Sequence, residues 1–508
     1  MNDGYVTGID YVYGYYPELN PLRIRLAFLA AGLVPPRVGA ACELGFGQGL
    51  SVNIHAAASS VQWAGADFNA SQAGFAQELA AASGADASLH DDAFADFARR
   101  TDLPDFDYIG MHGVWSWISD ENRAVIVDFV RRRLKVGGVL YIGYNTLPGW
   151  APFAPMRHLL VEHAEVLGAE GSGIVGRVDG ALDFAARLLA TNPAYALANP
   201  QVAGRVERIR EMSRQYLAHE YFNRDWHPMH FSTLARWLAP AKVEFGRSAH
   251  YLDHIDTINL GAEQQRFLDE IADPVFRQSV RDFMTNQQFR KDYWVKGARR
   301  LDAVEQSDAL RALRFMLVVP RAEVGLKVCG TLGEMSMQEG FYGPILDALA
   351  DHEIKSLARI EQDVKGAGLG LTQIIQAMLL LCGSGHVVPV QDDESIDAAK
   401  PRTDRLNRHL IDKARGRGDI GHLASPVSGG GVGVNRFQQL FLQAMEQGGK
   451  TPADLAGFAW PFLAAQGQGL LKDGRRLDTA EENIAELRVQ AGDFVDKRLP
   501  ILKALRVV

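Results

Sequence analysis

Five short apolar runs alternate with helix-forming stretches over the first third of the chain. Ala40 to Cys42 leads into a glycine turn, and the small-residue stretch Leu50 to Ala58 follows as a helix. Val61 to Asp67 reads as a second strand, Ser71 to Ser83 as a helix and Ala87 to His90 as a third strand. Phe106 to Gly113 is a fourth, a helix begins at Asp120 and runs to Leu134, and Val139 to Tyr144 is a fifth. Strand and helix in strict alternation predict an α/β, Rossmann-like, doubly wound core with a mostly parallel sheet.

From 153 to 218 the apolar spacing turns helical, most clearly at Met156 to Leu167 and Val206 to Tyr216, and predicts an insertion over the ligand face. His219 to Phe222 then reads as strand-like, Phe231 to Leu238 as a helix, and Val243 to Tyr251 as a strand. That return completes the sheet with an antiparallel pair, which places a first domain at 1–256. Ala262 to Arg299 is charged and reads as helical throughout, Phe289-Arg290-Lys291-Asp292 included. Helices at Tyr342 to Leu349, Ile354 to Glu361 and Leu371 to Leu381, then a turn and strand at Gly383 to Val390, suggest a winged-helix-like unit in a middle region, 257–390. Leu371 to Leu381 carries no lysine or arginine, which argues against nucleic acid as a partner. Residues 391–405, with Asp392, Asp393, Glu394 and Pro401, read as a linker into a helical C-terminal domain, 391–508. Ser425-Pro426 and the Gly429 to Gly433 run interrupt that domain as a flexible or ligand-shaped loop.

A chain of 508 residues exceeds what one hydrophobic core organises, so several domains are expected. The net charge of -8 does not favour nucleic acid either. Cys42, Cys329 and Cys382 lie far apart and form neither a metal pattern nor a disulfide framework, which fits a reducing cytoplasm. The N-terminal residues carry no secretory signal, and no apolar run approaches a membrane span. These features place the protein as soluble and cytoplasmic.

The glycine turn narrows the chemistry. Glu43 is followed by Gly45, Phe46, Gly47 and Gly49, a Gly-x-Gly-x-Gly spacing. A dinucleotide fold places its third glycine where this chain has Leu50, and its pyrophosphate would be repelled by Glu43. An acid at that point suits a cationic ligand, and S-adenosylmethionine (SAM) carries both a sulfonium and an ammonium. Asp67, about 20 residues past the turn, is the expected ribose acceptor, with Phe68 beside it. Of Asp91 and Asp92, ahead of Ala93, one reads as a helix cap and one as a neighbour of the adenine amino group, in either order. Trp115, Trp117, Tyr144, Asn145 and Trp150 follow the ends of strands four and five, where such sheets bind ligands. Tyr5, Tyr11, Tyr13, Tyr15 and Tyr16 crowd the N-terminus; Tyr13 and Tyr16 are candidates for a lid over the site. His112 and Tyr144 are the candidates for catalysis, and His112 also adjoins the cofactor positions.

Several stretches then point to one family: Tyr16-Pro17 with Asn20-Pro21, Cys42 to Gly49, Phe106 to Ile109, His112-Gly113-Val114-Trp115-Ser116-Trp117, and Tyr144-Asn145-Thr146 with Pro148-Gly149-Trp150. His219-Glu220-Tyr221, Phe289 to Asp292 and Ala424-Ser425-Pro426 extend the set along the chain. With them the sequence resembles the class I SAM-dependent methyltransferases that carry a methyltransferase regulatory domain, and in particular the bacterial outer-membrane-protein lysine methyltransferases. Phe46 and Gln48 stand where that family usually has cysteine or a small residue, and Asn20 where histidine is common. The resemblance implies methylation of lysine side chains on a protein, an insertion linked to homodimerisation, and a C-terminal domain around an open cavity. Two alternatives stand beside it: a small-molecule or cell-surface glycan-precursor acceptor, and a SAM-binding regulatory protein.

Overall fold

The structure, a computed structural model, describes residues 12–168 and 170–508; Tyr5 and Tyr11 lie outside the described residues. Its centre is a seven-stranded sheet. The strands are β1 (Ala40–Leu44), β2 (Gln62–Ala66), β3 (Ala87–His90), β4 (Phe106–His112), β5 (Leu134–Asn145), β6 (Val243–Ser248) and β7 (Phe289–Lys296), in the order β3-β2-β1-β4-β5-β7-β6. Strands β3 to β5 run parallel, and β7 pairs antiparallel with both β5 and β6. The chain order reverses between β1 and β4, the switch point outside which doubly wound sheets bind ligands.

Helices α1 (Leu22–Ala30), α2 (Leu50–Ala58), α3 (Ala70–Ser83), α4 (Phe94–Phe97) and α5 (Asp120–Arg133) flank the sheet. Every residue of α2 is buried. Its sequence is mostly apolar or small, as a helix covered on every side requires, and its two larger polar side chains are partnered inside: Asn53 donates to the Gly49 and Ala76 carbonyls, and His55 Nε2 lies 3.2 Å from the Tyr15 hydroxyl. The cover is C-terminal: the long helix Asp393–Lys413 packs on α2 and α3, and a hairpin of His422–Ser425 with Gly430–Gly433 packs on α2. The Asp392 carboxylate caps that long helix by accepting from the Ser395 N–H at 2.8 Å, and Asp393 and Glu394 occupy its first turn. Residues 391–405 are therefore not a linker. The three acids that read as a solvated break start a helix, because negative charge is favourable at a helix N-terminus. The glycine-rich stretch is likewise a structured turn and strand: a Cβ on Gly430 would lie 2.5 Å from the Tyr15 hydroxyl.

Two other expectations change. His219 to Tyr221 is not a strand but the last turn of α10 (Arg214–Tyr221), which follows α6 (Ala154–Val166), α7 (Gly173–Ala190), α8 (Ala194–Ala198) and α9 (Gln201–Arg210) in the insertion. Ser213 caps α10 by accepting from the Tyr216 N–H, and Leu217 and Tyr221, one turn apart, are buried together. Phe289 to Asp292 is not helical but opens β7, at the heart of the sheet. The sheet thus runs past Asp256, and α11 (Phe231–Leu238) precedes its edge strand.

Charge on β7 is misleading as a sign of exposure. Arg290 and Asp292 face one side of the sheet and Lys291 the other, by strand alternation. Each is partnered: Arg290 meets Asp292 at 2.7 Å and Asp282 at 2.5 Å, and Lys291 meets Glu18 at 2.6 Å.

In the middle region the three expected helices form at Glu339–Ala348, Leu357–Asp363 and Leu371–Gly383, beside a three-stranded antiparallel sheet of Arg314–Leu317 flanked by Lys355–Ser356 and Val387–Val390. Their apolar faces join one core with α1 and the near face of the central sheet. Among the described residues, no helix is long and apolar enough to cross a membrane.

Candidate active site

A cavity of about 1110 Å³, its open mouth included, lies at the carboxyl ends of β1 to β4. Its floor is the glycine turn. Gly45, Gly47 and Gly49 all adopt positive φ, at 70°, 57° and 69°. A Cβ on Gly45 would fall 2.5 Å from a Val114 methyl, and one on Gly49 only 2.3 Å from the Ala76 Cβ. The alternate glycines are thus a steric necessity of this turn. Gly49 ends it, α2 starts at Leu50, and Leu50 is buried where a dinucleotide turn would have its third glycine.

Four carboxyl groups line this cavity, those of Glu43, Asp67, Asp92 and Glu220. Glu43, at the end of β1, is 3% exposed, and its Oε2 has no hydrogen-bond partner among the described residues. Burial, reinforced by nearby Asp67, pushes its pKa up to about 8. Asp67 closes β2, accepting from the Gly47 N–H at 2.8 Å and the Asn69 N–H at 3.0 Å. Burial raises it to about 6 against the pull of those two bonds. Glu220 reaches the cavity from α10, and burial raises it to about 7. Such a set of desolvated acids is a cradle for a cation, because a positive ligand restores the ionised forms that burial disfavours.

One wall is aromatic. The Tyr16 ring stacks on His112, centroids 4.0 Å apart and planes at 20°. The Tyr16 backbone N–H donates to Ser51 Oγ, and the neighbouring Glu18 ties the segment to Lys291 of β7. His112 Nδ1 lies 2.7 Å from the Tyr141 hydroxyl. Burial lowers its pKa to about 4, Glu18 opposing, so the imidazole is neutral at physiological pH. Trp117, from the turn after β4, also lines the cavity.

Of the residues the sequence nominated, the cavity gathers Tyr16, Glu43, Gly45, Phe46, Gly47, Asp67, Phe68, Asp92, Ala93, His112 and Trp117. Gly49 supports the turn from behind. Asp91 does not line the cavity and neither aspartate caps a helix, since Ala93 holds the N-cap position of α4; Asp92 instead meets Arg100 at 3.2 Å.

The other aromatic candidates lie elsewhere. Trp115 is fully buried beneath the turn, donating its indole N–H to the Met229 sulfur and packing edge-on against Trp237. Two residues apart on a tight turn, Trp115 and Trp117 point to different surroundings. Tyr144 is fully buried and donates to Asp292 at 3.2 Å, which removes it from the catalytic candidates. Asn145 is held at its backbone by Ser116 Oγ and does not line the cavity. Trp150 anchors the insertion, edge-on to Trp226 and beneath the Arg205 guanidinium at 3.9 Å. Tyr13 packs against Phe75 and under Arg417 of the C-terminal region, so of the two lid candidates Tyr16 alone lines the cavity. Gln72, Phe94, Val114, Ser119, Asn122, His219 and Glu220 also line it, and sequence reasoning misses them. Three of them have one signal each, Val114 its place in the His-Gly-Val-Trp-Ser-Trp stretch, and His219 and Glu220 theirs in the His-Glu-Tyr stretch.

Comparison with known proteins agrees with this architecture. Residues 213–296 match the family model described as "Predicted methyltransferase regulatory domain". That span contains α10, with Glu220, and both antiparallel strands. The Synechocystis uncharacterized protein sll1526 is 38% identical over 511 residues, covering 100% of this chain and 99% of its own. Among solved structures, PKMT2 from Rickettsia typhi in complex with AdoHcy aligns with a TM-score of 0.67 at 18% identity, over 98% of this chain and 99% of that one. PKMT2 without a named ligand aligns at 0.65 and 16%, over 99% of both chains.

The sheet order and the glycine turn together define the class, that of the SAM-dependent methyltransferase fold. Within it, the chain belongs to the family of sll1526, and it carries the methyltransferase regulatory domain.

Proposed function

We propose that the cavity binds SAM and that the protein transfers its methyl group to lysine side chains of a protein acceptor. The observation that carries the reading is Glu43: a buried carboxyl group facing the cavity, with an oxygen that has no hydrogen-bond partner among the described residues. The methionine ammonium is the group that would satisfy it. Asp67 keeps lone pairs beyond those used by Gly47 and Asn69, and these accept the ribose hydroxyls. Phe68, Asp92, Ala93 and Phe94 form the adenine end. The AdoHcy in the PKMT2 structure, the compound SAM becomes on losing its methyl, supports the same ligand here.

Bound SAM supplies an electrophilic methyl on a positively charged sulfur. The chain's own part is to deliver a neutral amine in line with it and to exclude water. Tyr16 and Trp117 offer aromatic faces to an entering lysine, and low polarity there disfavours its ammonium form. An amine that gains the methyl group would have a proton to release. Glu220, raised to about 7 by burial, is matched to accept it.

Trp117→Ala should therefore lower the methylation rate of a protein acceptor by about tenfold or more, while SAM affinity changes by less than about threefold. A variant that loses SAM binding and rate in parallel would place Trp117 on the cofactor and remove it from the acceptor channel.

A further inference from the structure

A second cavity, of about 1400 Å³ with its mouth, opens beside the sheet edge and shares no lining residue with the first. It is built from the end of β6, the segment around Asp253 to Asn259, and the helix Pro274–Thr285. Nearly all of its wall falls within the span matched by the regulatory-domain model.

Its chemistry is cationic. Arg247, Arg277, Arg281, Arg290 and Arg300 line it. Three aspartates share the wall, and each has a partner; of their oxygens, Asp282 Oδ2 alone is buried and unpartnered among the described residues. Asp253 accepts from Ser248 at 2.7 Å and pairs with His250; Asp256 pairs with Arg281 at 2.6 Å; Asp282 pairs with Arg290 at 2.5 Å. Arg277 is held by Asp269 at 2.7 Å. That leaves Arg247 and Arg300, neither of which has a salt bridge or a side-chain hydrogen bond among the described residues. The Arg247 Nε–H is moreover buried with no acceptor among the described residues. Arg247 also sits where the β6–β7 register slips, between Phe245 and Arg247, a bulge of the kind that re-aims a side chain. A guanidinium that makes no ion pair among the described residues, beside Asp256 and Asp282 already paired to Arg281 and Arg290, calls for an acceptor from outside.

We propose that this cavity is a second binding site, for a small oxyanion held by the guanidinium groups of Arg247 and Arg300. Phosphate and carboxylate share the fork geometry that arginine recognises, and two probes distinguish them. The test is calorimetric titration of the full-length protein with inorganic phosphate and, separately, with succinate, at fixed ionic strength. The expected result is saturable binding of at least one probe, near one per chain, weakened about tenfold or more by Arg247→Gln and by Arg300→Gln. Arg300 is exposed, so its variant keeps the fold and carries the test if Arg247→Gln is destabilised. No saturable binding of either probe, or binding that survives the Arg300→Gln substitution unchanged, overturns the proposal.

Discussion

Glu43→Gln should bind SAM about tenfold or more weakly than the parent protein near pH 8, and the gap should narrow toward pH 6. Glutamine keeps the size of the side chain and removes the charge, so the loss isolates one charge-assisted contact, worth about 1.5–3 kcal/mol. The pH dependence follows from the pKa. In the ligand-free protein burial, with Asp67 nearby, holds the Glu43 carboxyl protonated up to about 8. Below that value a cationic ligand must drive off a proton before the ion pair forms, so parent affinity rises with pH up to about 8, where the ligand's own amine starts to lose its proton. The glutamine variant lacks that contribution to the slope. The same groups act on stability with the opposite sign. Glu43, Asp67 and Glu220 hold protons in the native state that the unfolded chain has released, so the ligand-free protein loses stability as pH climbs from about 4.5 to about 8. Saturating SAM should flatten that decline. Equal SAM affinity in parent and Glu43→Gln at pH 8 would remove Glu43 from the site.

Arg290→Met should destabilise the protein by about 3–5 kcal/mol. The Arg290 side chain is 7% exposed, and those of Asp282 and Asp292 are 3% and 1%. One guanidinium serves both carboxylates, donates a further bond to Gln278 and lies 4.4 Å over the Phe231 ring. Methionine fills the volume but leaves two buried acids without a cation, and each must take up a proton or expose itself to water. The cost falls on β7, the strand that joins β5 to the sheet edge. Urea unfolding gives the comparison, and a loss below about 1 kcal/mol would mean the cluster contributes little. Arg290→Met, Asp282→Asn, Asp292→Asn together should recover part of the loss, since the buried charges then leave as a set.

That same strand marks where the sequence stops being legible. The first five strands are legible because each is a local apolar run bounded by glycine or an acid. The turn is legible because three glycines at alternate positions fit few backbone shapes. Phe289 to Asp292 reads as helical because charge implies exposure unless the partners are known. Those partners, Glu18, Asp282 and Asp292, are two residues away in one case and hundreds in another. In the site, Glu43, Asp67 and the glycines lie on or near the turn, so spacing identifies them. Trp115, Tyr144 and Trp150 are nominated by proximity to strand ends, but proximity does not give direction, and each ring packs inward. Glu220 lies more than 150 residues beyond the turn, on an insertion helix whose last turn sequence alone reads as a strand. Only tertiary contact brings it to the cavity.

The most direct test is to incubate the protein with SAM carrying an isotopically labelled methyl group and a bacterial protein extract, then locate the label by mass spectrometry. The account predicts label on the Nζ atoms of lysine side chains in protein, at a rate that rises with pH from neutral as the amine deprotonates. Label on a small molecule, a sugar, a hydroxyl or a carboxylate, or label that never leaves SAM, would contradict it.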